Sequence, residues 1–185
     1  MKLIKVMRKH IFVILFALIG LCGSAQNNGQ NVQITLPRTH VEFSLPQHEW
    51  KYLQTTNVDK NTTVYLYSYM ARNVLDEKGD TIIPYLRIYV KKNYSPSVYD
   101  LTWERYQNQP FQSLDEFTEG IPNSGLGYIG AYNSPYDRKD YQFRMVYFKD
   151  RNTAFEFRAE TSLDTYEEFD EMFTNILNSV TVKSK

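Results

Sequence analysis

Along this chain the apolar positions follow two different periods, and the switch between them outlines the elements. In residues 81–93, TIIPYLRIYVKKN, the side chains of Ile82, Leu86, Ile88 and Val90 fall on one side, and Tyr85, Arg87 and Tyr89 on the other. That period of two predicts a strand with one core face and one half-covered face. Residues 40–46 (HVEFSLP) and 62–73 (TTVYLYSYMARN) are rich in β-branched and aromatic residues between turn formers, and read as two further strands. The turn DEKGD at 76–80 supplies Gly79 for a positive φ, so 62–73 and 81–93 are expected to pair as an antiparallel hairpin. Pro84 marks an edge or a bulge early in the return strand. Residues 141–150 and 152–161 predict a second antiparallel pair, with Phe155, Phe157 and Ala159 inward and Glu156, Arg158 and Glu160 outward.

The other period is helical. Residues 95–110 place Val98, Leu101, Trp103 and Tyr106 at near-helical spacing after a serine and before a terminating proline, and Leu114 and Phe117 extend that helix by one more turn. At the C-terminal end Tyr166, Phe169, Phe173, Ile176, Leu177 and Val180 make one apolar helix face. Asp164 stands where an N-cap belongs, and Glu167, Glu168, Asp170 and Glu171 place negative charge near the helix's positive end. Capping accounts for this acidic cluster without a metal.

The first 25 residues follow neither pattern. A basic stretch with Lys2, Lys5, Arg8 and Lys9 is followed by an apolar run from Ile11 to Leu21 and the small residues Gly23, Ser24 and Ala25, which reads as a secretory signal peptide over 1–25. The run is too short for a membrane span, which takes about 20 apolar residues. The competing reading is a lipid anchor on Cys22, although Leu21 stands where a small residue is expected. Cleavage after Ala25 places the mature N-terminus at Gln26, and residues 26–35 read as a flexible tether before a single domain at 36–185. Removing the leader removes the only cysteine and leaves 17 basic against 21 acidic side chains, a net charge of −4. That balance argues against a nucleic-acid binder, whose footprint is a basic stripe. A cysteine-free chain in an oxidising compartment is held together by its core.

Gly125–Gly130, GLGYIG, matches the spelling of a dinucleotide-binding loop. The chemistry behind that spelling needs a strand running in and a helix starting out, so that the helix N-terminus receives a pyrophosphate. Here Pro122, Asn123 and Ser124 precede it, while Asn133, Ser134, Pro135 and Asp137 stop any helix after it. Tyr128, Ile129, Ala131 and Tyr132 instead indicate a short strand, and no cofactor is expected.

FSLP at 43–46 with Trp50, AFEFRAET at 154–161 feeding YEEFDEMFTNILNSV at 166–180, and a meander interrupted by a helix between them resemble the PsbP-like domain. This family is named after an extrinsic subunit of photosystem II and has bacterial secreted and lipoprotein members. The resemblance covers most of 40–182 and rests on element order. It implies an α+β fold, an antiparallel sheet flanked by helices in an α/β/α sandwich, and an accessory or binding protein without catalysis of its own. The metal and photosystem contacts of the plant subunit find no matching positions in this sequence.

Catalytic chemistry is sparse. After the leader only His40 and His48 remain, and with Glu42 and Glu49 they match no metal-ligand or acid–base spacing. Ser124 lacks a nucleophile elbow, and Glu116 and Glu119 sit near a helix end without a defined partner. An enzyme is not expected. The aromatic content, with 15 tyrosines and 11 phenylalanines, points to a binding surface in part. Tyr65, Tyr67 and Tyr69 alternate along one strand and are expected under a helix. Tyr128, Tyr132 and Tyr136 with Arg138 lie in a glycine- and proline-rich stretch, where the rings either pack against the sheet edge or form the candidate partner-binding site. The expected partner is a protein of the bacterial periplasm or cell envelope. The alternative is a small apolar ligand or lipid held between sheet and helix, in a dry pocket lined by the Tyr65 and Tyr85 strands. Asp80-Thr81-Ile82 resembles an O-glycosylation signal of some Gram-negative bacteria, which marks Thr81 in the hairpin turn. The intact mass of the exported protein checks both modifications: it is expected to correspond to a chain starting at Gln26 with a glycan on Thr81. An acylated Cys22 or a bare Thr81 overturns the respective assignment.

Overall fold

A computed structural model describes residues 30–107 and 111–183. The leader over 1–25 lies outside the described residues. The chain runs β1 (Asn31–Thr35), β2 (Val41–Pro46), β3 (Trp50–Asn57), β4 (Thr62–Tyr69), β5 (Val74–Leu75), β6 (Thr81–Ile82) and β7 (Tyr85–Lys92) into helix α1 (Val98–Gln107). It continues through β8 (Ser113–Phe117), β9 (Leu126–Asn133), β10 (Asp140–Asp150) and β11 (Thr153–Ser162) to helix α2 (Tyr166–Asn178) and β12 (Thr181–Val182). Seven strands form one antiparallel sheet in the order β3-β4-β7-β11-β10-β9-β8. A second sheet, β1-β2-β12, joins the two ends of the domain.

Strand alternation gives the large sheet two apolar faces, and each has its own cover. On one face Leu86, Ile88, Val90, Val146, Phe148, Phe155 and Phe157 meet Phe169, Phe173 and Ile176 of α2 and Phe43 of β2. On the other, Tyr89, Phe143, Met145, Tyr147 and Leu126 meet Leu101 of α1. The expected α/β/α sandwich is present, with the small sheet sharing the α2 layer. Phe157 lies at its centre and contacts Phe43 edge-on, with ring centroids 5.5 Å apart. Tyr67 and Tyr69 lie in the α2 core, where burial pushes the Tyr67 hydroxyl up to about 12.

Four expectations change. The tether over 26–35 already contains β1, whose residues pair with β2 from Asn31↔Pro46 to Thr35↔Glu42, so the folded unit begins before residue 36. Glu42 accepts hydrogen bonds from Gln33 and Thr35 of this strand, and with Lys183 they hold its carboxyl below the usual carboxylate range. Leu114 and Phe117 lie in strand β8 rather than a helical turn, because the ladder to β9 supplies their backbone partners. Leu114 then faces the α1 core and Phe117 the α2 core, a period-two split that a helix-like spacing of three had masked. Asp164 does not cap α2. A 3-10 turn at Leu163–Thr165 intervenes, and the Asp164 carboxylate accepts from Ser162 Oγ and the Glu77 backbone N–H instead. Finally, Glu156, Arg158 and Glu160 point away from the phenylalanine face as predicted, but that second face is covered as well, by Arg105 of α1 at Glu156, by Phe111 and Phe143 at Arg158 and by Tyr132 and Arg87 at Glu160, and the three side chains are buried. Pro84 interrupts the return strand between β6 and β7, and its carbonyl accepts from Tyr69 N.

Candidate functional site

Helix α1 starts with a reciprocal cap. Ser97 Oγ accepts from the Asp100 N–H at 3.1 Å, and the Asp100 carboxylate accepts from the Ser97 N–H at 2.8 Å. The Ser97 hydroxyl and the Ser97 N–H, both donating to it, keep the Asp100 carboxyl below its ordinary range. The inward row of the helix is Val98, Leu101 and Arg105, spaced i, i+3, i+7. Leu101 fills the core, and Arg105 donates to both oxygens of Glu156 at 2.7 and 3.2 Å while stacking 4.5 Å above the Tyr89 ring. Glu156 belongs to a chain of charge across the covered face. Beside it Glu160 accepts from Arg87 at 2.9 Å and Tyr132 at 3.2 Å, and pairs with Arg158 at 2.8 Å.

Because an arginine occupies the inward row, the aromatic row turns outward. Tyr99, Trp103 and Tyr106, at i, i+4 and i+7, are 69, 61 and 42 % exposed. Trp103 and Tyr106 lie near-parallel, with centroids 6.0 Å apart and planes 17° apart. The near-helical spacing of Val98, Leu101, Trp103 and Tyr106 does mark the helix, but Trp103 and Tyr106 lie on its surface, because an ion-paired arginine that takes part of the inward row is invisible to an apolar-periodicity count. With Thr102, Leu114 and Tyr128 they line an open cleft of about 420 Å³. Tyr128 forms its floor. Burial pushes the Tyr128 hydroxyl up, and the charge of Glu116 and the neighbouring Tyr99 add to that. Glu116 stands opposite Tyr128 in the β8–β9 ladder, on the same sheet face, and is exposed.

The stretch 128–139 is therefore strand β9 and the turn after it, and its candidate residues separate. Tyr128 joins the α1 cleft. Tyr132 is packed, near-parallel to Tyr141 at 5.6 Å and under the Arg158 guanidinium at 4.7 Å. Tyr136 stands out at 96 % exposure and Arg138 is exposed beside it, both in the tight turn closed by Ser134 and Lys139. The variant Tyr136→Ala is expected to shift stability by no more than about 0.5 kcal/mol. Tyr132→Ala, which strips a ring from the buried charge network, is expected to cost about 1–3 kcal/mol. Urea unfolding of the two variants distinguishes a surface ring from a packed one.

Thr81 is exposed at the start of β6, next to the Asp80–Lys139 ion pair of 2.9 Å. His40, Glu42, His48 and Glu49 do not assemble: Glu42 is committed to Gln33, Thr35 and Lys183. Among the described residues no group of three potential ligands is arranged to hold a metal ion, and no helix is long and apolar enough to cross a membrane. The layer between sheet and α2, where an apolar ligand would sit beneath the Tyr65 strand, is filled by Phe43, Phe157, Phe169 and Phe173. A further cleft of about 340 Å³ lies between β2 and α2, rimmed by Glu49, Glu168 and Glu171, and one of about 390 Å³ surrounds Lys139 and Asp164. None of these three clefts is lined by Tyr65 or Tyr85.

No protein-family model matches the chain, and no curated protein matches it in sequence. Solved structures do match. The solution structure of cyanobacterial PsbP from Synechocystis sp. PCC 6803 aligns over 86 % of this chain and 96 % of its own, with a TM-score of 0.53 at 10 % identity. The crystal structure of LpqN, involved in cell envelope biogenesis of Mycobacterium tuberculosis, aligns over 85 % of this chain and 93 % of its own, with a TM-score of 0.50 at 12 % identity. The fold is PsbP-like.

Proposed function

We propose that this chain is an exported, non-catalytic accessory protein of the bacterial periplasm or cell envelope, and that it binds a protein partner through the aromatic cleft of α1. The observation that carries the reading is the outward row Tyr99, Trp103 and Tyr106. Tryptophan and tyrosine supply large, rigid contact area, and a folded domain that leaves three such rings together at the mouth of a cleft has the composition of a binding hot spot. The export leader in the sequence and the PsbP-like fold, shared with an envelope-biogenesis protein, support the location. A lipid tether on Cys22 would leave the same cleft facing the periplasm or the exterior.

The test is a photo-crosslinking residue, benzoylphenylalanine, at position 103 of the full-length protein in its native cells. A discrete adduct is expected from position 103 and none from position 58, where Val58 is 63 % exposed after β3 and remote in sequence from the cleft. No adduct from position 103, or the same ladder of adducts from both positions, overturns the reading.

A further inference from the structure

Several rings of this protein carry a cation supplied from within the chain. Arg105 lies over Tyr89 at 4.5 Å, Lys91 and Lys149 over Tyr94 at 5.0 and 5.6 Å, Arg144 over Phe117 at 5.0 Å, and Arg158 over Phe143 at 4.4 Å. The cleft is different. Among the described residues no lysine or arginine stands over Tyr99, Trp103, Tyr106 or Tyr128. The neighbouring Arg105 is turned inward and held by Glu156. On the neighbouring strand Glu116 stands opposite Tyr128, close enough for its charge to act on that ring, and makes no ion pair among the described residues, in contrast to Glu104, which takes Lys91 at 2.5 Å. Ring faces are the negative pole of an aromatic quadrupole, so several rings and one carboxylate around an open cleft form a site complementary to a cation.

We propose, resting on the partner-binding reading above, that the α1 cleft receives an arginine side chain of the partner protein. The guanidinium lies on the near-parallel rings of Trp103 and Tyr106, and its N–H groups reach the Glu116 carboxylate. Arginine fits better than lysine because its planar, weakly hydrated guanidinium stacks on rings while still donating at its edge. The net charge of −4 on the chain after its leader adds long-range attraction for a basic segment.

The experiment uses the folded protein after removal of its leader and an acetylated, amidated tetra-arginine peptide, with the tetracitrulline peptide as the uncharged isostere. Binding is followed by backbone amide shifts. Tetra-arginine is expected to move resonances of α1 and β8, and to bind at least tenfold more tightly than tetracitrulline. Trp103→Ala and Glu116→Gln are each expected to weaken it about tenfold while leaving the melting temperature unchanged, because both side chains are exposed. Equal binding of the two peptides, shifts centred on the Glu168 and Glu171 cleft, or affinities unchanged in both variants overturn the proposal. If position 103 still yields its crosslinked adduct while the peptides bind equally, the arginine assignment fails and the partner site stands. Loss of the adduct removes both.

Discussion

Glu156→Ala is expected to destabilise the protein by about 3–5 kcal/mol, the scale of breaking a buried ion pair on one side only. The carboxylate accepts from Nε and one terminal nitrogen of Arg105 and ties α1 to β11. With it gone, a guanidinium remains in a covered layer without its counter-charge. Replacing both partners, as Arg105→Met with Glu156→Leu, is expected to cost far less or to stabilise, since well-packed apolar residues avoid the desolvation of two ions. Urea unfolding of the single and paired variants measures this, and a single-variant cost below about 1 kcal/mol would show that the pair is solvated.

The same pair gives a pH dependence of known sign. Burial by itself pushes the Glu156 carboxyl up, but the charge and hydrogen bonds of Arg105, with Arg158 behind, bring it below its ordinary value of 4.5. A carboxyl depressed in the folded state contributes stability that is present above its unfolded value and lost as the pH falls through the folded one. The urea midpoint of the native chain is therefore expected to drop on acidification below about pH 4.5 more steeply than that of the paired apolar variant.

Gly130→Ala and Gly125→Ala are each expected to cost about 1–3 kcal/mol through overpacking, and neither NAD nor ATP is expected to raise the melting temperature of the native chain. A 3-10 turn at Pro122–Ser124 enters this segment and β9 leaves it, with β8 and β10 antiparallel on either side. The glycines serve close approach. A Cβ on Gly125 would land on the Tyr147 carbonyl oxygen, and one on Gly130 would meet the Ser113 carbonyl oxygen and, at 2.6 Å, the Phe143 ring. Phe143 sits directly opposite Gly130 in the β9–β10 register, so its ring occupies the space a side chain would need. Thermal stabilisation by either nucleotide would overturn this account, since a ligand that binds only the folded state must stabilise it.

Composition together with period-two and helical patterning determined β2, β4, β7, β9, β10, β11 and both helices, because most of these elements bury a row of side chains whose spacing survives in one dimension. The hairpin at Gly79 was legible for the same reason: its φ of 83° is a local demand on one residue. Strand β3 left no such trace. It is an edge strand, exposed along most of its length, so nothing required its side chains to alternate in polarity. The fate of the β11 charges was also outside what one strand can tell. Glu156, Arg158 and Glu160 alternate as a solvated face would, and only the tertiary fold buries them, with Arg105 of α1 over Glu156, Phe111, Tyr132 and Phe143 around Arg158, and Arg87 and Tyr132 on Glu160. The docking of α1 also decided the site. An arginine on the inward row of α1 satisfies a buried carboxylate from 51 residues away in sequence, and so leaves Tyr99, Trp103 and Tyr106 outward, where they line a cleft with Tyr128. Polarity along the chain records which residues prefer water, whereas a buried ion pair depends on a partner that only the tertiary fold supplies.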